Sequence, residues 1–195
     1  GLNNLNDAVG NNNLIRGAGA ETYSAGITKS ISVRLDTNDN LRPTSNPDLT
    51  YPQLSLSFWM KSNSFSWIII NKKTGEVGQR GFQIRENPNS GQQGKIQVWT
   101  GGVGGSGYIN CNKFIEDNVL HLVTVTAPIG GLTEVYVDGI VCGQGNTGTK
   151  GFQSAKVLDI GNRLYNGILD DFTLYKGLLT KREIINIFNQ GNGLC

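Results

Sequence analysis

Charge is scarce in this chain. Asp, Glu, Lys and Arg make up 16% of its residues, and 17 basic against 15 acidic side chains leave a net charge of +2. A nucleic-acid partner would demand a clustered basic surface, yet the only basic doublets are Lys72-Lys73 and Lys181-Arg182. Both read as solvated faces, so no nucleic acid is expected. Histidine and methionine each occur once. A Ser or Cys nucleophile would therefore have to recruit His121, and no strained nucleophile turn surrounds a candidate. His121 stands mid-strand among Leu and Val with no acid expected beside it, and it reads as a buried, satisfied residue rather than a general base.

Long apolar runs are missing too. The longest, Trp67-Ile68-Ile69-Ile70, falls far short of the roughly 18 residues that a membrane-crossing helix requires. The sequence opens on Gly1 without a basic and then apolar leader, which reads as a processed chain or an excised domain whose address lies elsewhere. No Asn-x-Ser/Thr acceptor occurs, so one mark of eukaryotic secretion is absent and a bacterial or viral source is the expectation. Cysteine is sparse and odd in number. Cys111, Cys142 and Cys195 fit neither a zinc ribbon nor a CxxC redox pair. They are expected to be small buried hydrophobes and a terminal thiol rather than a disulfide.

Glycine is plentiful, with 27 residues, and asparagine is frequent. Many short strands joined by tight turns produce that composition, because turns needing positive φ recruit these two residues. Alternation supplies the strands. Ser30–Leu35 puts Ile31, Val33 and Leu35 on one side, and Leu54–Lys61 puts Leu54, Leu56, Phe58 and Met60 on one side with Trp59 on the other. Phe65–Lys72, Gly81–Glu86 and Lys95–Thr100 follow at about ten-residue spacing, as in a β-sandwich. Val119–Thr126 and Thr133–Gly139 come next, and Asp138-Gly139 is a two-residue hairpin signal. Residues 1–25 read as an irregular arm, with Leu2–Leu5 and Leu14–Ile15 as short edge strands.

The closing stretch has the most definite pattern. Ile168, Asp170, Phe172 and Leu174 alternate with Leu169, Asp171, Thr173 and Tyr175 as a strand. Thr180 with Glu183 three residues on forms a capping box, Leu179 and Ile184 a hydrophobic staple, and Gly191 a stop, which predicts a helix over 180–190. Gly167, Asp170, Asp171, Phe172, Tyr175, Leu179, Thr180, Glu183 and Ile184 together resemble the closing signature of concanavalin A-like jelly rolls of the laminin G-like branch. Leu54–Lys61, Val119–Thr126 (with Leu120 where the family usually has Trp), Thr133–Gly139 and Lys156–Gly161 resemble further strands of that family, in the same order. The resemblance covers about residues 26–191. It implies an all-β fold: two antiparallel sheets face to face, one usually curved, with one short C-terminal helix, as a single domain over 1–195. It also implies that Asp170 braces a neighbouring loop.

Glycosidases of that superfamily carry E-x-D-x-x-E on one strand face, and no such run occurs here. The glycine-rich Gly101–Gly107 lacks the Lys-Ser/Thr of a phosphate loop and reads as a hairpin tip. A non-catalytic recognition module is therefore expected. Carbohydrate binding needs an aromatic to stack on the sugar and amides to fix its hydroxyls. Trp59, Trp67, Trp99, Tyr108 and Tyr165 are the aromatic candidates, with Asn71, Gln83, Arg85, Gln97 and Asn162 beside them. Gln83-Arg85 and Gln97-Trp99 are expected to share one polar face on neighbouring strands, so the ligand-binding set is Trp99, Gln97, Arg85, Gln83, Tyr108 and Asn71. The Asp36–Asn40 turn and Asp171 could hold Ca2+ through Asp36, Asn38 and Asp171, although Asx-turn capping accounts for the turn without metal. The second class of function is a display or adhesion module of a virion or cell surface, bound to a protein neighbour.

Overall fold

The computed structural model describes residues 14–18, 22–25, 31–35, 39–65, 68–74, 80–101, 108–146, 148–161 and 165–191. Fourteen strands and one helix occupy them: β1 (Leu14–Ala18), β2 (Thr22–Ala25), β3 (Ile31–Leu35), β4 (Asn40–Pro43), β5 (Gln53–Phe65), β6 (Ile68–Asn71), β7 (Phe82–Glu86), β8 (Lys95–Thr100), β9 (Ile109–Phe114), β10 (His121–Pro128), β11 (Leu132–Val137), β12 (Ile140–Asn146), β13 (Asp159–Ile160), β14 (Tyr165–Tyr175) and α1 (Lys181–Gly191). They form two seven-stranded sheets, in the orders β1-β4-β13-β6-β7-β8-β9 and β12-β11-β10-β5-β14-β3-β2. Every pairing is antiparallel. This is the two-sheet antiparallel β-sandwich that the resemblance implied.

Alternation along β5 works as expected. Leu54, Leu56, Phe58 and Met60 enter the core between the sheets, where they meet Ile70, Ile84, Ile96 and Val98 of the opposite sheet. Each such side chain, buried completely, contributes about 1.5–3 kcal/mol relative to exposure. On the other side of β5, Ser55 accepts the Leu179 N–H at 2.9 Å and donates to the Gly177 carbonyl at 2.7 Å, which fixes the link into α1. The capping box forms: the Thr180 N–H donates to Glu183 Oε2 at 2.7 Å, and the Glu183 N–H donates to Thr180 Oγ1 at 3.3 Å. Ile184 is completely buried. The helix thus covers the outer face of the second sheet.

The β14 strand departs from its simple alternation. Its register against β5 shifts between Asp170 and Thr173, and Asp171 has φ of 48°. Asp170 Oδ1 accepts the Asp171 N–H at 2.9 Å, which pairs the backbone amide of the left-handed residue. The bulge changes phase: Tyr165 and Leu169 face the core before it, Phe172 and Leu174 after it. Ile168 and Asp170 therefore do not share the inward face with Phe172, as strict alternation had suggested.

Leu14–Ile15 lies in the edge strand β1, as expected, and β2 supplies an edge strand to the other sheet, while Leu2–Leu5 falls outside the described residues. Two further expectations change. Lys72 is not solvated: it is completely buried, and its ammonium donates to Asn46 Oδ1 and to the carbonyls of Ser154 and Lys156. Cys111 and Cys142 form a disulfide, with Cα atoms 4.7 Å apart. It staples β9 to β12, edge strands of opposite sheets. Their backbones approach so closely that a Cβ on Gly143 would sit 2.3 Å from the Asn110 carbonyl.

Candidate functional site: a polar face on the first sheet

Residues directly opposite each other in an antiparallel ladder point to the same face. Asp159 pairs with Asn71, Asn71 with Gln83, and Gln83 with Trp99, so one row crosses β13, β6, β7 and β8. Arg85 pairs with Gln97 and Gln97 with Asn110, which gives a second row across β7, β8 and β9. The intervening Phe82, Ile84, Ile96 and Val98 point into the core, so both rows lie on the side away from it.

Hydrogen bonds join these side chains. Gln83 Nε2 donates to Asn71 Oδ1 at 3.3 Å, and the Tyr108 hydroxyl donates to Gln83 Oε1 at 2.6 Å. Arg85 Nε donates to Gln97 Oε1 at 3.2 Å, and Gln97 Nε2 to Asn110 Oδ1 at 2.7 Å. Asn87 Nδ2 shares that last acceptor at 3.2 Å. Five of the six side chains singled out from the sequence thus fall into two hydrogen-bonded groups on this face, and Trp99 stands opposite Gln83 on the same face.

Their exposure is uneven. Trp99 is only 2% exposed, with the Lys73 ammonium 4.5 Å from its ring centroid. The same ammonium lies 5.2 Å from the Tyr108 ring centroid and donates to the Tyr108 hydroxyl at 3.4 Å. The Arg85 guanidinium carbon stands 3.6 Å from that ring's centroid. Asn71, Gln83 and Gln97 are also buried, while Lys73, Arg85 and Tyr108 are half-buried and form the outer layer. Burial, together with the charge of Arg85, lowers the Lys73 pKa from its ordinary value, and burial raises that of the Tyr108 phenol. Lys73 was missed by the sequence reading. Its place in a doublet suggested solvent, and only the positions of β8 and Tyr108 bring it over Trp99.

The edges of the patch are anchored. At one end Asp159, 1% exposed, accepts Asn40 Nδ2 at 3.1 Å and Arg42 Nε, and pairs with Lys156 Nζ at 3.0 Å. Among the described residues Asn40 Oδ1, which is buried, meets no hydrogen-bond partner. At the other end a shallow depression is lined by Arg85, Glu86, Pro88 and Gln93.

The remaining candidates fall elsewhere. Trp59 is 1% exposed beneath α1, and Tyr165 is completely buried with its hydroxyl donating to the Ile168 carbonyl at 2.8 Å. Neither presents a ring to a sugar. Trp67, Asn162, Asp36, Asn38 and the loop 102–107 lie outside the described residues. Asp171 is exposed at the β14 bulge and supplies one carboxylate, where calcium takes about six to eight oxygens. Among the described residues no group of three His, Cys, Asp or Glu side chains converges to hold a metal ion.

His121 is buried, as expected, but it does have acidic neighbours. Its Nδ1 lies 2.7 Å from Asp138 Oδ2 and its Nε2 3.1 Å from Asp117 Oδ1. Asp138 Oδ1 also accepts the Leu122 N–H at 3.0 Å. The hydrogen bond and charge of Asp138 outweigh burial and, with Asp117, raise the imidazole pKa. Both ring nitrogens are occupied, so this cluster clamps the end of β10 to the β11–β12 turn. Among the described residues no helix is long and apolar enough to cross a membrane.

Several solved structures share this architecture. Domain 4 of AbnA, a GH43 extracellular arabinanase from Geobacillus stearothermophilus in complex with arabinotriose, superposes with a TM-score of 0.70 at 18% identity, over 95% of this chain and 93% of that one. A botulinum neurotoxin type C structure, from a protein whose cell entry depends upon interaction with two ganglioside molecules, gives 0.70 at 16% identity, over 91% of this chain and 46% of that one. The binding domain of botulinum neurotoxin DC in complex with rat synaptotagmin II gives 0.69 at 16%, again over 91% and 46%. This chain spans about half the length of those two toxin structures. At such identities the likeness is one of fold. No curated protein matches in sequence. The family model Laminin_G_3, of the concanavalin A-like lectin/glucanases superfamily, matches residues 35–185, and the chain belongs to that family.

Proposed function

We propose that the protein is a non-catalytic carbohydrate-recognition module whose binding surface is the outer polar face of the first sheet. The observation that carries this reading is the array of Asn71, Gln83 and Tyr108 on one side and Arg85 and Gln97 on the other, hydrogen-bonded within each group and joined where Arg85 lies over the Tyr108 ring. Amides held by one another on rigid strands present donors and acceptors in fixed directions, which is what a sugar's hydroxyls need. Tyr108 and Arg85, in the outer layer, make the first contacts. Trp99 acts from beneath by holding Lys73. The arabinotriose bound by domain 4 of AbnA and the ganglioside dependence of the type C toxin support a saccharide as the ligand class. The Cys111–Cys142 disulfide supports an oxidising setting, such as an extracellular, cell-surface or virion-borne domain.

A glycan array run with and without a calcium chelator tests this. Binding to at least one saccharide class is expected, reduced about tenfold or more by Tyr108→Ala in a folded variant. No binding in either condition contradicts the reading. Loss on chelation would bring in Asp36, Asn38 and Asp171 as the calcium-holding set.

A second reading, docking to a protein neighbour, is favoured by Leu132, Ile140 and Val141, which are 49%, 71% and 39% exposed along β11 and β12. One of the similar toxin domains was solved with a protein bound.

A further inference from the structure

The charges on the polar face are arranged asymmetrically. At the Asp159 end two cations, Arg42 and Lys156, are balanced by one buried carboxylate. At the Tyr108 end two more cations, Lys73 and Arg85, share a single phenol ring. Among the described residues no carboxylate lies within ion-pairing distance of either. Glu86 follows Arg85 in the chain, but its carboxylate accepts the Gly94 N–H at 3.1 Å. Two like charges held together on a half-buried surface repel each other and lose hydration, so the arrangement is stabilised by an anion brought from outside.

We infer that the ligand of this face is an acidic saccharide whose carboxylate is taken by Arg85 and Lys73. The inference rests on the carbohydrate reading above and names the class of sugar. Arg85 is oriented for the task. Its Nε–H is committed to Gln97 Oε1, which fixes the guanidinium plane against the Tyr108 ring. The terminal nitrogens remain as a planar fork of the kind that meets a carboxylate with two parallel hydrogen bonds. Lys73, held between Trp99 and Tyr108, adds a point charge on the same ring. The depression beside Arg85, lined by Glu86, Pro88 and Gln93, gives the adjoining sugar ring a place to lie. The amides of Gln83, Gln97 and Asn110 then address hydroxyls rather than charge.

Titration calorimetry on the whole chain decides this with paired probes: a galacturonic acid trimer against its methyl ester, and sialyllactose against lactose. At least one acidic probe is expected to bind about tenfold or more tightly than its uncharged counterpart, with affinity falling as salt is raised. Arg85→Gln is expected to erase that preference, so that the acidic and neutral members of each pair bind alike, and Lys73→Gln to reduce it in part. Both variants are checked for an unchanged melting transition, and Lys73→Gln serves should Arg85→Gln fail to fold. Equal binding of acidic and neutral members overturns this inference and leaves the carbohydrate reading standing. An acid preference that survives in both variants also overturns it. Absence of binding to all four probes, with none on the array, overturns both.

Discussion

The indole of Trp59 stacks on the phenyl ring of Phe188, with centroids 5.9 Å apart and planes 23° from parallel. One ring belongs to the longest strand and the other to the terminal helix, so the pair fastens α1 to the second sheet. Phe188→Ala is expected to cost about 1–3 kcal/mol, and Trp59→Ala about 3–5 kcal/mol because the indole is wholly buried. A double-mutant cycle in urea should return a coupling of about 0.5–1.5 kcal/mol. Strictly additive losses would show that the rings merely adjoin.

The Cys111–Cys142 bond closes a loop of 31 residues and joins edges of opposite sheets. Reduction, or Cys142→Ser, is expected to lower stability by about 2–4 kcal/mol, with the same fold by circular dichroism. Melting with and without reductant checks it. An unchanged midpoint would mean that close packing of β9 on β12 holds the edges without the bond.

His121 carries a raised pKa because Asp138 and Asp117 favour its charged form. A group whose folded pKa lies above its unfolded one stabilises fully below the unfolded value, here the ordinary 6.5, and loses that contribution as pH rises through the folded value. The stability difference between wild type and His121→Gln should therefore be largest below 6.5 and shrink as pH rises from there through the folded value. Asp117, whose pKa is lowered, limits the window on the acid side. A difference independent of pH would contradict the charged clamp.

Lys72 acts with the opposite sign. Burial lowers its pKa to about 8, so the unfolded chain holds more protons between that value and the ordinary 10.5, and stability gained from this group rises with pH across the interval. Lys72→Met should remove that rise. Its cost at neutral pH should be small, because a buried cation with only neutral oxygen partners is itself expensive. A loss of several kcal/mol at neutral pH would mean that the bonds to Asn46, Ser154 and Lys156 outweigh the burial.

Much of this architecture was legible because local chemistry and tertiary role agree. Leu54–Met60 alternate in the sequence and in the core, Thr180 and Glu183 cap the helix, and Asp138-Gly139 turns with φ of 55° and 76°. The failures share one cause, which is that partners distant in sequence decide the outcome. The bulge at Asp170–Asp171 leaves composition untouched yet reverses the phase of β14. β12 was unreadable because its seven residues are exposed or half-buried and include glycines. The disulfide was hidden by an odd cysteine count and by strands that meet only when the two sheets close. The strand pattern put Gln83, Arg85, Gln97 and Trp99 on one face, and the register of β7 against β8 places them so. That Trp99 is buried with the Lys73 ammonium over its ring, rather than open to a sugar, depends on residues distant in sequence and was not legible.

Nitrogen-15 NMR, following the side-chain amides of Asn71, Gln83, Gln97 and Asn110 during titration with the tightest-binding array saccharide, tests the central claim most directly. These four signals and the Arg85 Nε–H are predicted to move together and saturate at one affinity, with the β11–β12 side and α1 unaffected. Shifts confined to β11, β12 or the helix, with the four amides still, would contradict the account.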